Sequence, residues 1–139
     1  VLATEEAASG MIAGTHGSTY GGNPLGCAVG KAVMDIVAEE GFLADVNRRA
    51  GQIRQSLEGL VAAPPDVFEE TRGTGLMLGL KCKPANTELV QACYDAGIIT
   101  VPAADNVVRL LPPLNITEED IAEAMKRIDA AALAVSQKD

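Results

Sequence analysis

The chain has 139 residues, 47% of them hydrophobic and 22% charged, a composition typical of a globular chain rather than a disordered one. Eleven Lys and Arg against nineteen Asp and Glu give a net charge of −8, which repels phosphate backbones and anionic headgroups, so neither nucleic acid nor a membrane surface is expected as a partner. No apolar run reaches the ~20 residues of a membrane helix, and the N-terminus lacks a basic signal-peptide start, so we expect a cytoplasmic protein.

The first part of the chain is predicted to be mostly loop. Residues 1–3 have the composition of the end of a buried strand, and Thr4 is placed to cap a short helix over 5–8. Glycines then recur so densely over 13–23 that neither a regular helix nor a strand is expected there. This segment is predicted to be a long, shaped loop.

Two helices are predicted to follow the loop. Asn23 as cap and Pro24 at the first helical position start a helix that runs to Gly41. A second helix is expected to end near Ala62, with its apolar stripe formed by Leu43, Val46, Ala50, Ile53, Leu57 and Leu60. No sheet is evident for these two helices to cover, so we expect an upstream domain or another subunit to supply the partner surface.

After the break at 63–66 the pattern changes from helical to alternating. Strands are predicted over 67–71 and 76–82, joined by a turn over 72–75, and two more over 98–101 and 107–111. A short helix capped by Asn86 or Thr87 should end at Gly97. Thr117 caps the last helix, whose buried face is predicted to comprise Ile121, Met125, Ile128 and Ala132.

These elements predict an α+β fold, with an antiparallel sheet of three or four strands backed by helices. We divide the chain into the incomplete tail of a larger domain over 1–40, a connecting helix over 41–62 and a small C-terminal α+β domain over 63–139. The three cysteines lack C-x-x-C spacing, which predicts neither a disulfide framework nor a metal site.

The glycine-rich loop carries the first candidate site. Glycines allow backbone N–H groups to converge, and the adjacent hydroxyls of Ser18 and Thr19 add donors, which together suit a phosphate or another anion. A polar loop that merely leads into a capped helix is the alternative. The G-x-x-x-x-G-K-[ST] motif of a P-loop is absent. His16 is the only histidine, which excludes a catalytic triad and a multi-histidine metal site within the chain.

Arg109 is the second candidate. On a strand, its neighbours on the same face are Val107 and Leu111, so its guanidinium points into apolar surroundings or a cleft. An unpaired guanidinium there is costly, and its planar fork favours a carboxylate bound through two hydrogen bonds. The partner is either an internal Asp or Glu or the carboxylate of a substrate.

Three segments, His16–Gly26, Arg72–Gly79 and Arg109–Leu114, together resemble the C-terminal portion of an acetylornithine-type aminotransferase of the pyridoxal-phosphate fold-type I superfamily. The resemblance covers nearly the whole chain. It implies that Thr19, with Ser18, binds the cofactor phosphate of the partner subunit in a homodimer. It also implies that Arg109 holds the substrate α-carboxylate.

The same resemblance places the Schiff-base lysine, and the aspartate that pairs with the pyridine nitrogen, upstream of residue 1. The chain is therefore expected to be a fragment with no catalytic residue of its own, to leave pyridoxal phosphate unbound and to be inactive alone. For the parent protein, the resemblance implies transfer of the terminal amino group of N-acetylornithine to 2-oxoglutarate, in arginine biosynthesis. Ornithine, succinylornithine and 4-aminobutyrate aminotransferases are alternatives, and so is a non-catalytic domain that binds carboxylates or associates with partners.

Overall fold

The computed structural model describes residues 2–137, which form two compact units, Val1–Glu40 and Gly41–Asp139. Within the first unit, helix α1 spans Glu5–Ala8 and helix α2 spans Pro24–Val37. Both predicted caps are confirmed: the Thr4 hydroxyl accepts from the Ala7 N–H, and the Asn23 side chain accepts from the Gly26 N–H at 2.7 Å. The loop between the helices contains no helix or strand, as predicted.

The strand end predicted over 1–3 is not found. Val1 lies outside the described residues, and Leu2 and Ala3 are exposed and outside any strand. A strand needs a hydrogen-bonded neighbour, and every strand of the described sheet belongs to the second unit. Composition alone was therefore misleading for these residues.

The second unit is a four-stranded antiparallel sheet with three helices. The strand order is β1-β2-β4-β3, so that β1 and β3 form the two edges. This confirms the predicted α+β class. In chain order, the elements are α3 Phe42–Ala62, β1 Phe68–Thr74, β2 Met77–Cys82, α4 Asn86–Asp95, β3 Val101–Ala103, β4 Val107–Leu110 and α5 Glu118–Ser136.

The hydrophobic core lies between one face of this sheet and the three helices. Strands β2 and β4 contribute Leu78, Leu80, Cys82, Val108 and Leu110, all buried. Each buried Leu or Ile adds about 1.5–3 kcal/mol of hydrophobic stabilisation. Most residues of the predicted helix faces are buried here, namely Val46, Ala50, Ile53 and Leu57 from α3, Leu89 and Cys93 from α4, and Ile121, Ile128 and Ala132 from α5. Three predicted residues are not: Leu60 and Met125 are only partly buried, and Leu43, at the start of α3, is exposed.

The expectation that α3 has no sheet to cover is therefore wrong, since α3 packs against β1 and α5 in this core. The sequence pattern showed its apolar stripe but not its distant partners. Helix α2 differs from α3. None of its residues is buried, and its apolar residues Leu25, Val29, Val33 and Ile36 are each at least half exposed.

Three local predictions need correction. Strand β1 continues through Thr74, which pairs with Met77, so the turn is the two residues 75 and 76 rather than 72–75. Strand β3 begins at Val101 instead of residue 98. Asn86 does not cap α4, because its side chain donates to the carbonyls of Ala103 and Val107, both at 2.9 Å; the cap position is Ala85.

Candidate functional site

The face of the sheet opposite the core holds Arg109 at its centre. In the strand register, Arg72 on β1 is opposite Gly79 on β2, Gly79 is opposite Arg109 on β4, and Arg109 is opposite Val101 on β3. Directly opposed residues point to the same face of a sheet. This row of four residues therefore crosses the whole sheet with Arg109 in its interior. Three of them, Arg72, Gly79 and Arg109, border a hollow of about 360 Å³.

The guanidinium of Arg109 has an unused donor. The side chain is partly buried, its Nε is buried, and this Nε–H has no hydrogen-bond acceptor among the described residues. No carboxylate of residues 2–137 lies within ion-pair distance of Arg109. Of the two partners that the sequence leaves open, an internal acid is thus not found in this part of the chain. A buried donor without an acceptor costs about 1–3 kcal/mol.

Gly79 leaves the surface beside Arg109 without a projecting side chain. A Cβ at this position would lie 2.6 Å from Val107 Cγ1, so a side chain there would force Val107 to move. Val107 is on the same face of β4 as Arg109, two residues away. Gly79 and Val107 therefore form the apolar floor next to the guanidinium.

The other cations on this face are already paired. Arg72 donates to Glu70 from Nε at 2.6 Å and is also bonded to Asp105. The Nζ of Lys81 lies 3.2 Å from Glu69 and 3.9 Å from Asp105. The guanidinium of Arg72 holds the pKa of Asp105 below its ordinary value, chiefly through their hydrogen bond, so this carboxylate stays ionised.

The glycine-rich loop presents free donors in the first unit. The hydroxyls of Ser18 and Thr19 are exposed and make no hydrogen bond within the described chain. No backbone N–H from His16 to Gly22 donates a hydrogen bond there either. The loop end is fixed by Asn23, whose side-chain amide donates to the Tyr20 carbonyl at 2.6 Å. This donor set has the chemistry of an anion site.

The predicted site residues belong to different units. Ser18 and Thr19 are in the unit Val1–Glu40, whereas Arg109 is in the unit Gly41–Asp139. The role of each of these residues stays a prediction. Sequence reasoning missed Gly79 and the pairing of Arg72 with Asp105. The alternation of β2 puts Gly79 on the face opposite Leu78 and Leu80, but only the strand register shows that it lies beside Arg109.

The buried thiols take no part in this site. Burial raises the pKa of the Cys82 thiol to about 11 and also raises that of Cys93. Both therefore stay protonated at neutral pH and act as core residues. Within residues 2–137, no helix has both the length and the apolar character that crossing a membrane requires.

Known proteins are similar to this chain in both sequence and fold. The family model for class-III aminotransferases matches residues 1–132. The acetylornithine aminotransferase of Rhodobacter capsulatus is 66% identical over 132 residues, which cover 95% of this chain and 34% of that protein. The chain thus spans about a third of the length of this curated relative.

Two solved structures superpose on the chain. N-acetylornithine aminotransferase from Stenotrophomonas maltophilia gives a TM-score of 0.77 at 33% identity, covering 85% of this chain and 33% of that one. A Vibrio fluvialis aminotransferase in its PMP-bound form gives 0.78 at 26% identity, covering 96% and 32%. With the family match over 132 residues, these likenesses show that the chain belongs to the class-III aminotransferase family.

Proposed function

We propose that this chain forms the carboxylate-binding part of a pyridoxal-phosphate-dependent aminotransferase. The reaction would move the terminal amino group of N-acetylornithine to 2-oxoglutarate, in arginine biosynthesis, in a cytoplasmic protein. Because the chain spans about a third of the relative's length, the activity is assigned to a longer protein, and the chain alone is expected to be inactive. The observation that supports the proposal most strongly is that Arg109 borders the hollow and has no carboxylate partner within residues 2–137.

Arg109 would bind the α-carboxylate of both substrates. A guanidinium fork offers two parallel N–H donors that match the two oxygens of a carboxylate, so the bound group is fixed in direction as well as in place. Strand β4 holds the arginine between two neighbouring strands, which limits its movement. Its partial burial reduces screening by water and strengthens the ion pair. A substrate anchored in this way reaches the reacting groups in one orientation.

The donors of the glycine-rich loop fit a cofactor phosphate. Thr19 and Ser18 would each donate a hydroxyl hydrogen bond, and the free N–H groups of residues 16–22 add further donors. We assign this contact to the cofactor of the partner subunit in a homodimer; the exposed apolar face of α2, in the same unit, supports burial against another surface. When bound, pyridoxal phosphate supplies the carbonyl that accepts the amino group and a ring that withdraws electrons.

Kinetics of the longer protein test the role of Arg109. Replacing it with Gln, Arg109→Gln, should raise the KM for both N-acetylornithine and 2-oxoglutarate about 10- to 100-fold, since a hydrogen bond to a charged group contributes about 1.5–3 kcal/mol. Arg127→Gln is the matched control, because Arg127 donates to the Gly97 carbonyl at the end of α4 and not to the hollow. Unchanged KM values for both substrates in Arg109→Gln would remove the proposed role.

A further inference from the structure

The turn between β3 and β4 is tied to two other elements by the partly buried Asn106. Its side-chain amide donates to the carbonyls of Cys82 and Pro84, at 2.6 and 2.8 Å, just where β2 ends. Its Oδ1 accepts from the Asn86 N–H, at 2.8 Å, at the start of α4. The cap position of α4 is Ala85, which has no side-chain acceptor, so Asn106 caps this helix from a distance.

Asn86 holds the same hairpin from the side of α4. Its side-chain amide donates to the carbonyls of Ala103 and Val107, both at 2.9 Å. These are the last residue of β3 and the first residue of β4, and they are opposite each other in the strand register. Arg109 follows Val107 by two residues on the same strand. The amide of Asn86 therefore fixes the point from which the arginine strand starts.

Strand β4 has few other contacts that define its register. It pairs with β3 over three positions only, and one of the partners is Pro102, which has no N–H to donate. Val107 and Val108 are both buried, one on each face, so the apolar pattern specifies the register weakly. A shift by one residue would turn Arg109 from the open face to the core face.

We propose that Asn86 and Asn106 are positioning residues, which hold β4 so that Arg109 borders the hollow and meets a substrate carboxylate. The inference rests on the proposed function and deepens it. Neither asparagine borders the hollow, so each acts through the strand and not by contact with a substrate. A carboxylate bound through two hydrogen bonds depends on the direction of the guanidinium, which makes its binding sensitive to small movements of β4.

Kinetics of the longer protein with 2-oxoglutarate test the role of the two asparagines. Asn86→Ala removes both donations to the hairpin and keeps a good helix former at the start of α4. Asn106→Gly removes the side chain and keeps the positive φ of +57°. Neither changes the net charge. Each should raise the KM for 2-oxoglutarate about 3- to 10-fold, the factor of one net hydrogen bond. The kcat should change little, as expected for weaker substrate binding.

Two control variants separate positioning from a general loss of stability or stiffness. Ala104→Gly adds a glycine to the same turn without removing a side-chain hydrogen bond. Thr117→Ala removes the cap of α5, which lowers stability in another part of the unit. Both should leave the KM for 2-oxoglutarate unchanged, and thermal unfolding of each variant reports its stability.

A double-mutant cycle tests whether the effect passes through Arg109. In the Arg109→Gln background no guanidinium is left for β4 to place, so adding Asn86→Ala should change the KM for 2-oxoglutarate by less than about twofold. Independent roles would instead make the two effects multiply. A merely structural role of Asn86 predicts this second result.

The outcomes distinguish this inference from the proposed function. An unchanged KM in either folded asparagine variant, an equal rise in Ala104→Gly or Thr117→Ala, or effects that multiply in the cycle would overturn the inference and leave the role of Arg109 intact. If one asparagine variant does not fold, the other decides alone. An unchanged KM for 2-oxoglutarate in Arg109→Gln would overturn both.

Discussion

Arg109 keeps a free donor because its neighbours offer no acceptor. Gly79 has no side chain, and Val101 and Val107, the other residues around it on the open face, are aliphatic. The acids of this face, by contrast, are engaged with Arg72 and Lys81. The arrangement costs folding free energy.

Glycine is required at one position of the β1–β2 hairpin for steric reasons. Gly73 has a φ of +107°, and a Cβ there would lie 2.0 Å from the Met77 carbonyl oxygen. That atom belongs to the backbone of the paired strand and cannot move without breaking the ladder. Gly75 also has a positive φ, of +57°, but a Cβ there would meet nothing within 4 Å.

Substitution of these two glycines should therefore have unequal effects. Gly73→Ala is expected to lower the free energy of unfolding by more than about 2 kcal/mol, whereas Gly75→Ala should cost about 1 kcal/mol, the price of a left-handed alanine alone. Urea unfolding followed by circular dichroism measures both. Equal losses in the two variants would show that the contact with Met77 is not decisive.

At the scale of elements, the helix boundaries could be predicted because their signals are local. Thr117 caps α5 through a hydrogen bond from the Asp120 N–H at 3.1 Å, three residues along the chain. Asn86 is a residue type that often caps helices, but its side chain donates hydrogen bonds to the backbone of β3 and β4, about twenty residues away. Local patterns carry no information about such distant acceptors, which is why this prediction failed.

The predicted start of β3 was wrong for a related reason. Residues 98–100 have the apolar, branched composition of a strand, but β3 pairs with β4 only over Val101–Ala103. The β3–β4 turn contains Asp105 and Asn106, both with positive φ. Asn106 donates to the carbonyls of Cys82 and Pro84, which fixes the turn to the end of β2. The turn thus fixes the register of β3 against β4 through tertiary contacts that the sequence does not show. Residues 98–100 lie beyond the last pair, Val101 with Arg109, at the other end of β3.

An ion pair links helices α3 and α5, and it should make the stability of the second unit depend on pH in the acidic range. Arg48 of α3 lies 2.7 Å from Asp45 and 2.9 Å from Glu118 of α5. Hydrogen bonds from Arg49 and Arg48 lower the pKa of Asp45 below 3.8, and the bond from Arg48 lowers the pKa of Glu118 below 4.5. Both acids are therefore better stabilised as anions in the folded state than in the unfolded state.

The direction of the pH effect follows from these shifts. A lowered folded pKa gives a stabilisation that is complete above the ordinary values of 3.8 and 4.5 and is lost as the pH falls through the folded values. Arg48→Gln should therefore reduce the loss of stability between pH 6 and pH 3, as measured by urea midpoints at each pH. Arg54→Gln is the control, because Arg54 lies on the same helix but donates to the Gly73 carbonyl and to no carboxylate of residues 2–137. Parallel pH curves for Arg48→Gln and the unmodified chain would contradict this account.

At the scale of the whole molecule, the two units have different characters. The second unit has its own core, formed by the sheet and three helices, whereas α2 in the first unit has no buried residue. Periodicity was sufficient to predict the helices, the hairpin and the α+β class. The position of Arg109 on a strand was also predicted from alternation. Its free Nε–H, the glycine beside it and the paired Arg72 depend on strand register, which periodicity does not determine.

The central claim is that Arg109 binds a carboxylate, and titration of the labelled chain with butyrate tests it most directly. The Arg109 Nε–H resonance should shift and saturate, together with the Gly79 amide on the adjacent strand. In Arg109→Gln the response of the Gly79 amide should be lost. An Arg109 resonance that stays unmoved at saturating butyrate, or a Gly79 response that survives in Arg109→Gln, would contradict the account.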